Sequence, residues 1–222
     1  MNAAIGKVET IMRLGPVIPV VTISDQRHAV PLAQALVEGG VRVIEVTLRT
    51  PIALEALRLI ATEVPDAIAG AGTIIEPGQI HAALTAGARF LVSPGATGEL
   101  IAEAMRSGAP LLPGAATASE AMRLLAAGFA YQKFFPAAAA GGTALLSALA
   151  APLPQIRFCP TGGISAQEAP LYLRLRNVLC VGGSWLTPAD AVAAGDWGRI
   201  RALALATGNL RPPATVVDGA KV

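Results

Sequence analysis

One pattern recurs along the chain. A short run of β-branched and aliphatic residues leads into a turn containing Gly, Pro or Thr, then into an Ala- and Leu-rich stretch with helical spacing. The runs predict strands over Val17–Ile23, Val41–Arg49, Ala67–Ile74, Phe90–Gly95, Leu111–Thr117, Ala130–Pro136, Arg157–Gly163 and Val178–Leu186. Helical stretches are expected to begin near Asp25, Pro51, Pro77, Gly98, Ala118, Gly141, Ser165 and Pro188. Thr50-Pro51, Glu76-Pro77, Ser165 and Thr187-Pro188 supply caps or first-turn residues, and Glu38-Gly39-Gly40, Ala86-Gly87 and Ala127-Gly128 supply stops. Such alternation predicts parallel strands joined by right-handed crossovers. Eight units predict an α/β fold of the (βα)8 TIM-barrel type, one domain over residues 1–222. An open doubly wound sheet is the alternative that pattern alone leaves standing. Lys7, Glu9 and Arg13 punctuate the apolar residues ahead of Leu14, so residues 1–14 read as a short amphipathic helix rather than a signal peptide. Residues 211–222, with Pro212-Pro213, read as an extended tail.

Composition narrows the class. Hydrophobic residues make up 53% and charged residues 14%, enough apolar side chain for a large core. Only 4% is aromatic, so Ala, Leu, Val and Ile must build that core. A formal charge of +2 with no basic cluster argues against nucleic acid or an anionic membrane surface as partner. The longest uncharged stretch, Phe134 to Ile156, is interrupted by Pro136, Gly141-Gly142, Pro152 and Pro154, which argues against a membrane span. Cys159 and Cys180 sit in apolar strand segments and read as small core residues, which points to a reduced, cytoplasmic protein.

In barrels of this kind the chemistry lies at the C-terminal strand ends. Of three lysines, only Lys133 falls within the barrel, inside Tyr131-Gln132-Lys133-Phe134-Phe135-Pro136, whereas Lys7 and Lys221 belong to the termini. Desolvation among such neighbours favours the neutral, nucleophilic amine. A lysine snorkelling to the rim is the plainer alternative. Glu45 is the one acid inside a predicted strand, and alternation puts it on the same face as Thr47 and Arg49. The opposite face, Arg42, Ile44, Val46 and Leu48, suits packing against helices. Glu45 and Arg49 therefore point inward, either as an ion pair that staples the mouth or as parts of a reaction centre. A Schiff-base enzyme needs an amine, a proton shuttle and a cation for a substrate carboxylate. Lys133, Glu45 and Arg49 supply these, with Thr73 as a hydroxyl beside the carboxylate.

Two glycine pairs close successive strands: Thr161-Gly162-Gly163-Ile164-Ser165 and Gly182-Gly183-Ser184. Their N–H groups suit a phosphate, and a helix starting near Ser165 would add its positive end; tight turns alone would use the same glycines. Gly70-Ala71-Gly72 reads as close packing, since the spacing and acidic partner of a dinucleotide site are missing. His28 and His81 both fall in helical stretches, which argues against a metal site and against a Ser/His/Asp hydrolase.

At these residues the chain resembles the 2-keto-3-deoxy-6-phosphogluconate (KDPG) and 2-keto-4-hydroxyglutarate (KHG) aldolases. The likeness is carried by Pro16-Val17-Ile18-Pro19-Val20, Gly39 to Arg49, Gly70-Ala71-Gly72-Thr73, Ser93-Pro94-Gly95, Lys133-Phe134-Phe135-Pro136, Pro160 to Ile164 and Val181 to Leu186. The resemblance implies a homotrimer of barrels with neither metal nor organic cofactor, acting on a phosphorylated 2-keto acid and on pyruvate. It assigns the Schiff base to Lys133, acid/base work to Glu45 and the carboxylate site to Arg49 and Thr73. Gly162, Gly163, Gly183 and Ser184 fall on its phosphate site, and Pro94, Phe135 and Thr161 line its pocket. The chemistry implied is cleavage of KDPG to pyruvate and glyceraldehyde 3-phosphate, with 4-hydroxy-2-oxoglutarate as a second substrate. The 6-phosphogalactonate epimer, or a phosphate-binding barrel acting without a covalent step, are the competing expectations.

Overall fold

The computed structural model describes residues 3–210, so the tail expected over 211–222 lies outside the described residues. Among the described residues nine strands are found, all parallel: β1 Val17–Val21, β2 Val43–Thr47, β3 Ile68–Gly72, β4 Leu91–Val92, β5 Leu111–Leu112, β6 Gly114–Ala115, β7 Tyr131–Phe134, β8 Arg157–Pro160 and β9 Val181–Gly183. Ten helices accompany them: α1 Ala3–Arg13, α2 Ala29–Glu38, α3 Ala53–Glu63, α4 Pro77–Thr85, α5 Gly98–Ser107, α6 Ala118–Ala126, α7 Gly142–Leu149, α8 Ala169–Leu173, α9 Ala189–Ala194 and α10 Trp197–Ala206. Six strands form one curled sheet, in the order β5-β4-β3-β2-β1-β9, and three form a second, β6-β7-β8.

The two sheets meet at both edges. Where one strand was expected over Leu111–Thr117, two short ones are found, separated by Pro113. Proline has no N–H to give the ladder, yet its carbonyl accepts the Lys133 N–H at 2.8 Å. On the far side, single bridges pair Phe158 with Val178 and Thr161 with Gly182.

Several helix starts move from their expected places. Thr50 does not cap α3; its hydroxyl donates to the Ile23 carbonyl at 2.6 Å and ties together the loops after β1 and β2. The helix expected near Ser165 begins only at Ala169, because the Glu168 carboxylate folds back onto the Ser165 N–H (3.0 Å) and hydroxyl (2.7 Å) and closes a turn first. The stretch after Pro188 is broken into α9 and α10 at Gly195, which has φ 65°. Thr97 and Thr117 do cap α5 and α6 through their side chains, with Glu120 completing a capping box on α6.

Packing separates two apolar layers. Between strands and helices lies the larger one, from Val21, Ile44 and Val46 to Leu57, Ile60, Leu146 and Phe158. The concave side holds a smaller one, in which Ile18, Val43, Phe90, Val92, Leu112, Cys159 and Cys180 meet Val8, Ile11 and Met12 of α1. The amphipathic N-terminal helix thus covers the floor of the curled sheet, and burying those three side chains contributes about 1.5–3 kcal/mol each. Phe90 fits because Gly70 has no side chain: a Cβ there would fall inside the ring. Both cysteines are buried, with no disulfide between them. Along each strand the period of two lifts the next inward residue one layer up, from Val43 to Glu45 and from Cys159 to Thr161. Chemistry therefore begins where the apolar floor ends.

Candidate active site

Glu45 lies mid-strand in β2 and Lys133 in β7, 88 positions apart in sequence. Nζ of Lys133 donates to Oε1 of Glu45 at 3.3 Å, and each residue is only 3% exposed. The rim position open to Lys133 in the sequence is therefore not taken. Room for the carboxylate comes from Gly72, where a Cβ would collide with Oε1. The amine also stands 5.3 Å from the centroid of the Phe135 ring. An ammonium carries three donor positions; among the described residues only Glu45 takes one. Each partner makes burial of the other tolerable, since an unpaired charge at this depth is strongly destabilising.

Arg49 stands beyond the end of β2, and its Nε donates to the Thr73 hydroxyl at 2.9 Å. The Glu45–Arg49 staple that the sequence left open is not formed among the described residues: Glu45 pairs with Lys133, and Arg49 with Thr73. The terminal guanidinium nitrogens have no protein acceptor among the described residues, which leaves the fork for a planar anion. Thr73 has φ 61°, a left-handed conformation that a β-branched residue adopts only under strain of about 1–3 kcal/mol. That conformation turns the chain just past Gly72, where the hydroxyl meets Arg49.

Arg49 and Lys133 line one cavity together with Val20, Thr22, Phe135, Thr161, Gly162, Gly163, Ile164, Gly182, Gly183 and Ser184. Gly162 and Gly163 have φ 100° and 74°, which side-chain-bearing residues rarely adopt, and a Cβ on Gly163 would press on Ala138. Among the described residues the N–H groups of Gly162, Gly163 and Ser184 have no protein acceptor. Converging backbone donors of this kind suit an anion. The positive helix end expected at Ser165 is not part of this wall, because Glu168 already occupies that N–H.

Of the residues singled out in the sequence, Lys133, Arg49, Phe135, Thr161, Gly162, Gly163, Gly183 and Ser184 share the cavity wall. Glu45 and Thr73 join it through Lys133 and Arg49. Pro94 follows β4, where its carbonyl packs against Gly114, and is not among the wall residues. Sequence reasoning read Gly72 as close packing without naming Glu45 as what packs there, and it missed Thr22. The signal for Gly72 was its place beside the glutamate strand, where Thr47 and Gly72 are in register. For Thr22 it was the inward alternation Ile18, Val20, Thr22 along β1. Both histidines lie elsewhere: His28 meets Trp197 edge-on at 5.6 Å, and His81 pairs with Glu103 at 2.6 Å.

Comparison with known proteins agrees with this geometry. The family model described as KDPG and KHG aldolase matches residues 8–203. A 2-dehydro-3-deoxy-phosphogluconate aldolase of Dickeya dadantii is 56% identical over 196 residues, covering 88% of this chain and 92% of that protein. Among solved structures, a KDPG aldolase of Legionella pneumophila holds pyruvate captured at low pH as a covalent carbinolamine intermediate. It superposes with a TM-score of 0.89 at 48% identity, covering 90% of this chain and 98% of its own. The 2-keto-3-deoxy-6-phosphogluconate aldolase of Zymomonas mobilis with 3-phosphoglycerate gives a TM-score of 0.88 at 46% identity, over 93% of this chain and 97% of its own. All the strands and every wall residue of the cavity fall inside the matched span, and the chain belongs to the KDPG and KHG aldolase family.

Proposed function

We propose that this chain is a class I aldolase that cleaves 2-keto-3-deoxy-6-phosphogluconate to pyruvate and glyceraldehyde 3-phosphate. The reaction proceeds through a Schiff base on Lys133 and uses no metal ion or organic cofactor. The observation that carries the reading is the buried contact of 3.3 Å between Lys133 and Glu45, beside a cavity that also holds Arg49 and the Gly162-Gly163 turn. The Legionella relative with a covalent pyruvate carbinolamine supports the lysine chemistry, and the Zymomonas relative with 3-phosphoglycerate supports a phosphorylated ligand.

The steps follow from the positions. Neutral Lys133 attacks the C2 carbonyl carbon, and Glu45 delivers a proton to the hydroxyl that leaves the carbinolamine as water. Ionised Glu45 then takes the C4 hydroxyl proton. The C3–C4 bond breaks, and its electron pair moves through C2 to the iminium nitrogen. Glyceraldehyde 3-phosphate leaves as the aldehyde. The enamine is protonated at C3, and water hydrolyses the iminium to pyruvate and free Lys133. Arg49, held by Thr73, binds the C1 carboxylate through its fork. N–H groups of Gly162, Gly163 and Ser184 bind the phosphate, with Gly183 lining that end and Phe135 and Thr161 between the two ends. Pro94, assigned by family resemblance, lines the pyruvate end.

The shorter substrate 4-hydroxy-2-oxoglutarate, yielding pyruvate and glyoxylate, uses the same keto-acid end, and the family description names both activities. The Zymomonas relative with 3-phosphoglycerate makes the phosphorylated substrate the primary reading. The bridges at Thr161–Gly182 and the shared Pro113 junction support a sheet closed into an eight-stranded barrel. The continuous family match supports a single domain. A homotrimer rests on family resemblance, and a cytoplasmic location on the apolar strand positions of Cys159 and Cys180.

The test is chemical trapping. The protein is incubated with pyruvate, reduced with borohydride and mapped by peptide mass spectrometry. A pyruvyl adduct on Lys133 is the expected result; folded, pyruvate-binding protein without an adduct would remove the covalent mechanism.

A further inference from the structure

One wall residue has a hydroxyl that the mechanism leaves unused. Thr22 follows β1 immediately and lines the cavity. The strand that carries it lies between β2, which leads to Arg49, and β9, which leads to Ser184. Thr22 therefore stands between the carboxylate end and the phosphate end of the cavity.

Its hydrogen bonding fixes what it offers a ligand. Oγ1 of Thr22 and Oγ1 of Thr47 are 2.9 Å apart, and the Thr47 hydroxyl lies 3.1 Å from the Val21 carbonyl. A carbonyl only accepts, so the single Thr47 proton goes to Val21. Thr22 must then donate its own proton to Thr47. What remains toward the cavity is the acceptor side of Thr22. A phosphate or carboxylate oxygen gains nothing from such a group, whereas a ligand hydroxyl does. Thr47 is fully buried, and Thr22 is exposed at the cavity, so the interior partner anchors the hydroxyl while its other side faces an incoming ligand.

Resting on the aldolase reading above, we propose that Thr22 is a specificity-determining residue that accepts a hydrogen bond from the hydroxyl on C5 of the substrate. The C4 hydroxyl gives its proton to Glu45, and C5 is the remaining hydroxylated carbon before the phosphate. Thr22 therefore distinguishes a phosphorylated aldehyde that carries a 2-hydroxyl from one that lacks it. The keto-acid half of the reaction does not depend on it.

The synthesis direction isolates that hydroxyl. Pyruvate is condensed with D-glyceraldehyde 3-phosphate and, separately, with 3-oxopropyl phosphate, which has the same phosphate and no 2-hydroxyl. Wild type, Thr22→Val and Thr22→Ser are compared by kcat/KM on both aldehydes and by borohydride trapping of pyruvate on Lys133. Wild type is expected to favour the hydroxylated aldehyde by roughly tenfold, the worth of one good hydrogen bond. Thr22→Val is expected to lose that preference while still trapping pyruvate, and Thr22→Ser to keep it. An undiminished preference in Thr22→Val overturns the inference, as does an equal loss on both aldehydes. Failure of wild type to trap pyruvate would instead overturn the underlying Schiff-base reading.

Discussion

The Glu45 carboxylate occupies the space that a side chain on Gly72 would fill, one strand away in the same sheet. Gly72 sits in extended strand backbone, so its glycine is required by this contact and not by chain conformation. Gly72→Ala is expected to displace the carboxylate from Lys133. Misplacing a catalytic group by about 1 Å costs on the order of 10²-fold in turnover. Steady-state kcat should fall by that order while borohydride trapping of pyruvate persists. Wild-type kcat in a folded Gly72→Ala protein would remove the assigned role of Glu45.

Removal of either partner from the Lys133–Glu45 pair separates stability from chemistry. Lys133→Ala leaves a carboxylate that is 3% exposed without its cation, a loss of about 3–5 kcal/mol for a charge held at this depth. Thermal melting and denaturant unfolding should register it, and turnover should vanish. Glu45→Gln keeps the volume but loses the exchangeable proton, so kcat is expected to drop about 10²–10⁴-fold, with pyruvate binding largely intact. Equal activity of Glu45→Gln and wild type would end the acid/base assignment.

Thr73 couples backbone strain to ligand binding. With φ at 61°, replacement by glycine relieves a strained conformation but also frees the unfolded chain, so stability should stay within about 1 kcal/mol of wild type. The Arg49 guanidinium loses the hydroxyl that holds it at 2.9 Å. KM for the keto acid should therefore rise several-fold in Thr73→Gly while Tm hardly moves. A large fall in Tm with unchanged KM would show the threonine to be structural alone.

The floor of the fold carries its own pH signature. Burial, assisted by a hydrogen bond to the Glu9 carboxylate, pushes the Tyr131 phenol up to about 12 from an ordinary value of 10.0. Folded protein thus holds the phenolic proton more tightly than the unfolded chain does. The resulting stability is complete below pH 10 and is lost as pH rises toward 12. Because Glu9 lies on α1 and Tyr131 on β7, the loss should loosen the N-terminal helix first. Comparing wild type with Tyr131→Phe in melts between pH 9 and 12, the difference in slope should appear only above pH 10; identical profiles would remove the contact.

How far the chain could be read in advance depended on the range of the interaction involved. Period-two alternation placed Glu45 and Thr47 on the inward face, and the apolar surroundings of Lys133 marked it, because both facts are local to a strand. The helix start at Glu76-Pro77 was equally local, and it formed, with Gln79 completing a capping box. Ser165 exchanges capping bonds with Glu168, though on a turn ahead of α8, whereas Thr50 gives its hydroxyl to the Ile23 carbonyl of a neighbouring loop instead. Nothing within a few residues of Thr50 announces that carbonyl.

By itself the sequence determined which residues carry chemistry: one lysine amid aromatics, one strand carboxylate, one arginine two steps beyond Thr47, and two glycine pairs at strand ends. Tertiary structure alone decided which of them pair. It matched Glu45 with Lys133 instead of Arg49 and gave Arg49 to Thr73. The physical reason is that alternation along a strand fixes the face of a side chain, while its partner is chosen by strand order, register and the space its neighbours leave. That space, as at Gly72, exists only once the strands are side by side.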